Sequence, residues 1–174
     1  MQKITPFLWF NDNAEEAVKF YTSVFKKSKI KNISYYAKSN ENAAGRPAGS
    51  VMTIHFELNG VEFVALNGGP AYKFNESISF FVNCKTQAEI DYYWKKLSAG
   101  GKKIACGWLK DKFGVAWQIV PENIADLISS KDPEQSDRVV KAVMQMVKLD
   151  IGKLEQAYAQ EPRKNNKRET KRKK

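Results

Sequence analysis

Apolar and polar residues alternate along the chain with two periods, and the period switches at regular points. Val51–Leu58 has a period of two: Met52, Ile54, Phe56 and Leu58 on one face, Thr53, His55 and Glu57 on the other. Asn59-Gly60 follows, a strong two-residue hairpin signal, and residues 61–66 supply the returning strand. Gly68-Gly69-Pro70 ends it. Upstream, residues 4–10 are almost wholly apolar and predict a first strand. Asp12 or Asn13 is placed to cap a helix, with Glu15 and Glu16 at its positive end. Ala14, Ala17, Val18, Tyr21, Val24 and Phe25 form its apolar stripe. Residues 31–37 predict a strand, and the polar residues 38–49, with Gly45, Pro47 and Gly49, a loop.

The same order then recurs. Residues 78–82 predict a strand, residues 86–98 a helix ended by Gly100-Gly101, and residues 103–109 and 115–120 two more strands. Gly60-Val61-Glu62-Phe63-Val64 parallels Gly114-Val115-Ala116-Trp117-Gln118, and Ala14-Glu15 opens the first helix as Ala88-Glu89 opens the second. The pattern predicts an α+β fold of two tandem βαβββ units. The expected boundaries are residues 1–121 for the paired units (about 1–70 and 71–121), 122–160 for a helical extension, and 161–174 for a basic tail. Within the extension, residues 123–129, a helix started by Asp132-Pro133 and running to about Val147, and residues 150–159 are the expected helices.

Residues 106–121 are the densest stretch. Residues 106–110 predict one strand, Asp111 to Gly114 a turn, and residues 115–120 a second strand that Pro121 ends. Trp108, Trp117 and Gln118 in so short a hairpin suggest the floor of a cavity.

Composition narrows the function classes. An apolar content of 43% is enough for a real core. No apolar run approaches the roughly 18–20 residues that span a bilayer, so no membrane partner and a cytoplasmic location are expected. Cys84 and Cys106 have neither CxxC spacing nor a His partner and read as free thiols. The net charge of +10 is uneven: eight of the 29 basic residues and one of the 19 acidic ones lie from Pro162 onward, so the tail carries +7 and the remainder +3. The tail suits weak electrostatic contact with nucleic acid, but it has no interleaved aromatics to stack on bases; a solvated tail is the other reading.

Several pieces together resemble a known family: Ile4-Thr5-Pro6-Phe7-Leu8-Trp9-Phe10, Asn13-Ala14-Glu15-Glu16-Ala17 with Phe20-Tyr21, Leu66-Asn67-Gly68-Gly69-Pro70, Ile78-Ser79-Phe80, and above all Cys106-Gly107-Trp108 with Trp117-Gln118-Ile119-Val120-Pro121. They are similar to the PhnB-like family, also labelled the 3-demethylubiquinone-9 3-methyltransferase domain, of the vicinal oxygen chelate superfamily that includes glyoxalases, bleomycin-resistance proteins and extradiol dioxygenases. The resemblance covers about residues 4–158. It implies that each βαβββ unit forms a curved half-barrel sheet, that a small-molecule ligand sits on the concave face, and that the protein is a homodimer. It also implies where a superfamily metal would be held: one position in the first and one in the last strand of each unit. These fall on Pro6, Val64, Ser77 and Gln118. Pro and Val cannot ligate, and a hydroxyl and an amide are poor ligands alone, so no metal is expected. No glycine-rich turn leads into a helix after a first parallel strand, so an S-adenosylmethionine domain, and with it any cofactor, is not expected either.

Strand alternation proposes a cavity lining. If Phe7 and Trp9 pack under the first helix, Pro6, Leu8 and Phe10 face the cavity. If Ile78, Phe80 and Val82 are core, Ser77, Ser79 and Phe81 face it. Ala116, Gln118 and Val120 do so on the last strand, and Thr53, His55 and Glu57 on the third. The candidate ligand-binding residues are Phe10, Asn67, Ser77, Ser79 and Gln118. His55, with Glu57 two residues on, is the candidate catalytic pair, a base and its orienting carboxylate; a His hydrogen-bonded on a half-exposed strand is the alternative. Three functions follow: binding of a small molecule, an enzyme acting on a small metabolite, or sequestration of a toxic compound without turnover.

Overall fold

A computed structural model describes residues 2–39 and 45–159. The first unit contains β1 (Phe7–Phe10), α1 (Ala14–Val24), β2 (Lys29–Tyr35), β3 (Val51–Leu58) and β4 (Val61–Asn67). The second contains β5 (Phe80–Cys84), α2 (Gln87–Leu97), β6 (Lys102–Lys103), β7 (Trp108–Lys110) and β8 (Ala116–Pro121). Three helices follow: α3 (Ile124–Ile128), α4 (Pro133–Met144) and α5 (Ile151–Ala159). Each unit forms one four-stranded sheet, in the orders β1-β4-β3-β2 and β5-β8-β7-β6. First and last strands run parallel, and the others antiparallel, in both. The two βαβββ units expected from the sequence are therefore present. The basic tail lies outside the described residues, as does part of the 38–49 loop.

The helices begin for local reasons. Thr86 accepts the Glu89 N–H at 3.2 Å, and the Glu89 carboxylate accepts the Lys85 N–H at 2.6 Å. Asp132 accepts the Glu134 N–H at 3.0 Å ahead of Pro133. Asn13 occupies the cap position of α1 but makes no side-chain cap bond. The Asn67 side-chain oxygen, from the end of β4, accepts the Ala14 N–H at 2.9 Å instead. The first helix is capped from 53 residues away.

One apolar core joins the two units. It runs from Leu8, Phe10, Val18 and Phe56 in the first to Ile90, Leu97, Trp117 and Ile119 in the second. A smaller cluster, Val120, Ile124, Leu127, Val139, Leu149 and Leu154, holds the three C-terminal helices against the end of the second sheet. The Met146 and Val147 carbonyls accept the N–H groups of Cys106 and Gly107, and Gln87 on α2 bonds both Leu149 and Ile151.

Two expectations are corrected. Residues 103–109 do not form one strand. The chain turns at Ala105-Cys106-Gly107, with Cys106 at φ 61° and Gly107 at φ 80°, and separates β6 from β7. A side chain at Gly107 would meet the Ile119 carbonyl at 2.8 Å, so this glycine serves a close approach as well as a turn. The faces of β1 are also exchanged. Leu8 and Phe10 lie in the core beside Ala65 and Asn67, while Phe7 is 57% exposed and Trp9 half-buried on the opposite face. A run of four apolar residues carries no alternation, so its period could not choose a face. Of the two free thiols, Cys84 is buried and Cys106 half-buried; burial pushes the Cys84 thiol up to about 12.

Candidate functional site

The largest hollow among those described, about 550 Å³, lies where the outer face of β1 meets the 72–78 connector and the start of β8. Phe7, Trp9, Tyr72, Phe74 and Ile78 are among its apolar lining residues, and Lys73, Asn75 and Ser77 are its polar ones. Its size and mainly apolar lining are those of a small-molecule site. Trp9 is fixed by three contacts. Its indole N–H donates to the Gly69 carbonyl at 2.9 Å, Tyr72 meets its ring edge-on at 4.9 Å, and Gly68 lies directly against it. A Cβ at Gly68 would sit 2.3 Å from the Trp9 ring. We expect Gly68→Ala to displace Trp9 from the cavity wall and destabilise the fold by about 1–3 kcal/mol. A shifted tryptophan emission together with a lower urea midpoint checks this; an unchanged spectrum refutes it.

Next along the same face of β8, Gln118 is half-buried, and its amide N–H donates to the Ser79 hydroxyl at 2.8 Å. The two residues that the sequence placed on one lining are thus in direct contact. Ala116, one step back along this face, lines the hollow. Val120, one step on, is buried under the C-terminal helices.

The remaining sequence-derived candidates fall elsewhere. Phe10 is 2% exposed in the core, edge-on to Phe74 at 5.1 Å, and does not line the hollow. Asn67 is also interior. Besides capping α1, its amide donates to Glu15 at 2.6 Å and to the Val51 carbonyl at 3.0 Å, so both of its N–H groups are committed to holding the helix on the sheet. His55 is exposed on β3 and faces a separate hollow of about 410 Å³ with Gln2, Lys31, Asn32, Glu62 and Val64. No hydrogen bond joins it to Glu57 among the described residues. Glu57 pairs with Lys31 at 3.4 Å, and Lys31 also bonds Glu62. That hydrogen bond holds the Glu62 carboxyl below its usual range and raises the Lys31 ammonium.

The four positions where a superfamily metal would be held do not fit one. Pro6 and Val64 carry no side-chain ligand, and Ser77 and Gln118 offer only a neutral hydroxyl and amide. Among the described residues no group of three His, Cys, Asp or Glu side chains could hold an ion. The turn after β4 does not fit an S-adenosylmethionine site either: Gly68-Gly69 leads into no helix, and Gly68 is filled from outside by Trp9.

Asp111 escaped the sequence reading, which took it for a turn residue. It is buried, and its carboxylate accepts four hydrogen bonds. One oxygen takes the N–H groups of Phe113 (2.9 Å) and Val115 (3.0 Å), the other the Tyr21 hydroxyl and the Trp117 indole N–H (2.8 Å each). Burial raises its pKa, and the hydrogen bonds from Trp117, Tyr21 and the two backbone groups oppose that rise. Burial, reinforced by Asp111, likewise holds the Tyr21 hydroxyl well above its ordinary value. Three of its partners lie within six residues, but the fourth, Tyr21, is 90 residues away, and the turn residues alone do not show that the side chain points inward.

Comparison with known proteins adds the following. The sequence family described as 3-demethylubiquinone-9 3-methyltransferase matches residues 2–120. A Bacillus cereus structure, described as a 3-demethylubiquinone-9 3-methyltransferase of the PhnB type, is 38% identical at a TM-score of 0.60; the match covers 67% of this chain and 97% of that one. Protein PA1353 from Pseudomonas aeruginosa is 23% identical at a TM-score of 0.52, covering 67% and 95%. The fosfomycin resistance protein FosX of Mesorhizobium loti is a looser likeness, 16% identical at a TM-score of 0.43, over 67% of this chain and 90% of that one. No curated protein matched the chain. The family match ends at residue 120, before α3.

Proposed function

Because the chain belongs to the 3-demethylubiquinone-9 3-methyltransferase, or PhnB-like, family of the vicinal oxygen chelate superfamily, we propose that it binds a small, largely apolar molecule in the 550 Å³ hollow, without a metal ion, as a homodimer. The observation that carries this reading is the hollow itself: largely aromatic walls, Lys73, Asn75 and Ser77 as its polar residues, and the Gln118–Ser79 pair beside it. Such a lining buries an apolar body and leaves a few polar groups to orient it. Around it Ile4, Phe7, Tyr72 and Ile78 are well exposed, Ile78 by 75%, and a second copy of the chain would cover them. No helix among the described residues is long and apolar enough to cross a membrane.

A catalytic reading has one specific observation in its favour, the His55 hollow with its Lys31–Glu62 pair and nearby Glu57. His55 would act there as a base, with neighbouring carboxylates to orient it or stabilise its charge.

A thermal-shift screen of aromatic metabolites and antibiotics against protein stripped with a chelator tests both. A ligand present at about 100 times its Kd is expected to add about 2.7 kcal/mol of stability. Ser77→Trp should abolish the shift, and the ligand should be recovered chemically unchanged. Conversion of the ligand, lost in His55→Ala, would establish the catalytic reading in its place. One tightly bound divalent ion per chain, found by elemental analysis, would end the metal-free part. A monomer at micromolar concentration by sedimentation would end the dimer part.

A further inference from the structure

Phe80 lines two hollows. One is the 550 Å³ cavity described above; the other is a cleft of about 310 Å³ between the β3–β4 hairpin and β5. Six aromatic residues line the cleft: Phe25, Phe63, Phe80, Phe81, Tyr93 and Trp117. Phe25 stacks on Tyr93 at 5.1 Å and on Trp117 at 5.4 Å, with interplanar angles of 26° and 30°. Phe63 meets Phe80 edge-on at 5.2 Å. The cleft therefore offers both ring faces and ring edges. Among the described residues no charged side chain lines it, although the chain as a whole carries +10. Its polar groups are the Tyr93 hydroxyl and the side chains of Asn59 and Asn83, none of which makes a hydrogen bond among the described residues. Beside them, among the described residues, β5 pairs only with β8 and its other edge has no strand partner.

We propose that this cleft is a second small-molecule site, separate from the main cavity, which takes an uncharged planar molecule of one or two aromatic rings bearing a single hydrogen-bonding group. The volume is at the low end for ligand sites, which fits that size and excludes a larger ligand. A flat ring satisfies the stacking and edge-on geometry that the wall offers. A charged ligand would lose its hydration with no counter-charge to meet it. Burial raises the Tyr93 hydroxyl above its ordinary pKa, so it remains a donor at neutral pH. Phe80 is the partition between this cleft and the main cavity, so the two sites lie one ring apart.

The probe is 2-naphthol, titrated into the full chain and followed by calorimetry and by intermolecular NOEs. Contacts from naphthol to the Phe25 and Tyr93 rings are expected, and they should persist in Ser77→Trp, which fills the main cavity only. Val61→Trp, at the half-exposed rim of the cleft, should weaken this binding by on the order of tenfold or more while the urea midpoint holds. Tyr93→Phe removes only the donor and should weaken it by roughly five- to tenfold. NOEs confined to Phe7 and Trp9, or affinity indifferent to both cleft variants, would overturn the proposal. So would a dimer that Val61→Trp dissociates, since the cleft would then be an interface between copies. Failure of the main-cavity reading shows separately, as ligands from the thermal-shift screen whose binding ignores Ser77→Trp.

Discussion

Asp111→Ala is expected to lower the unfolding free energy by about 4 kcal/mol, a large part of the usual margin of a domain this size. The substitution removes the acceptor of four buried donors at once. A buried donor left unsatisfied costs about 1–3 kcal/mol, and water entering the gap recovers only part of that. Asp111→Asn should cost about half as much: its remaining oxygen can still take the Phe113 and Val115 N–H groups, but its amide then opposes the Tyr21 and Trp117 donors. Urea unfolding measures both, and an Asp111→Ala loss below about 1 kcal/mol would sink the account. The pH dependence has a definite sign. The folded pKa of Asp111 lies above the unfolded one, so the folded state holds the proton more tightly. Its contribution is full below the unfolded value of about 3.9 and fades as pH rises through the raised folded value. The stability gap between the parent protein and Asp111→Asn should therefore narrow as the pH is raised through that window.

The second large effect is expected in the C-terminal helices. Leu154 is fully buried in the cluster that holds α3, α4 and α5, and Leu154→Ala leaves a cavity there worth about 2–4 kcal/mol. That cluster is separate from the core shared by the two units. Hydrogen exchange should then show amide protection lost over residues 124–158 and largely kept in β3, β4 and β8. An equal loss in both regions would mean that the extension and the units unfold together, and residues 122–160 could not be treated as a module of their own.

Much of the fold was legible because local rules and long-range packing agree. Val51–Leu58 alternates cleanly, Asn59-Gly60 turns the hairpin, and the second helix carries its own Thr86 cap. Legibility failed where the deciding partner is distant or the pattern is uniform. β1 is apolar on both faces, so only its pairing with β4 shows that Leu8 and Phe10 point inward. The cap of α1 comes from Asn67, and nothing near Asn13 announces it. The break at Cys106 places a non-glycine residue at positive φ, with Gly107 as its one local sign. For the site, alternation brought Gln118 and Ser79 to one lining, and they do meet. It could not tell that Ser77 and His55 open onto different hollows, because that depends on the connector between the units and on the curvature of each sheet.

The hydrogen bond between Tyr21 and Asp111 also bears on how the chain is made. Tyr21 belongs to the first unit, yet its hydroxyl bonds Asp111 of the second and its ring packs on Phe113 and Trp117 there. At about 5–20 residues per second, a ribosome needs roughly 5–20 s to deliver the 90 residues between the two partners. For that interval Tyr21 on α1 and Phe25 just after it lack the second-unit rings on which they pack in the finished fold. Separate expression of the first half would leave the same rings without their partners, because one core is shared by the two units.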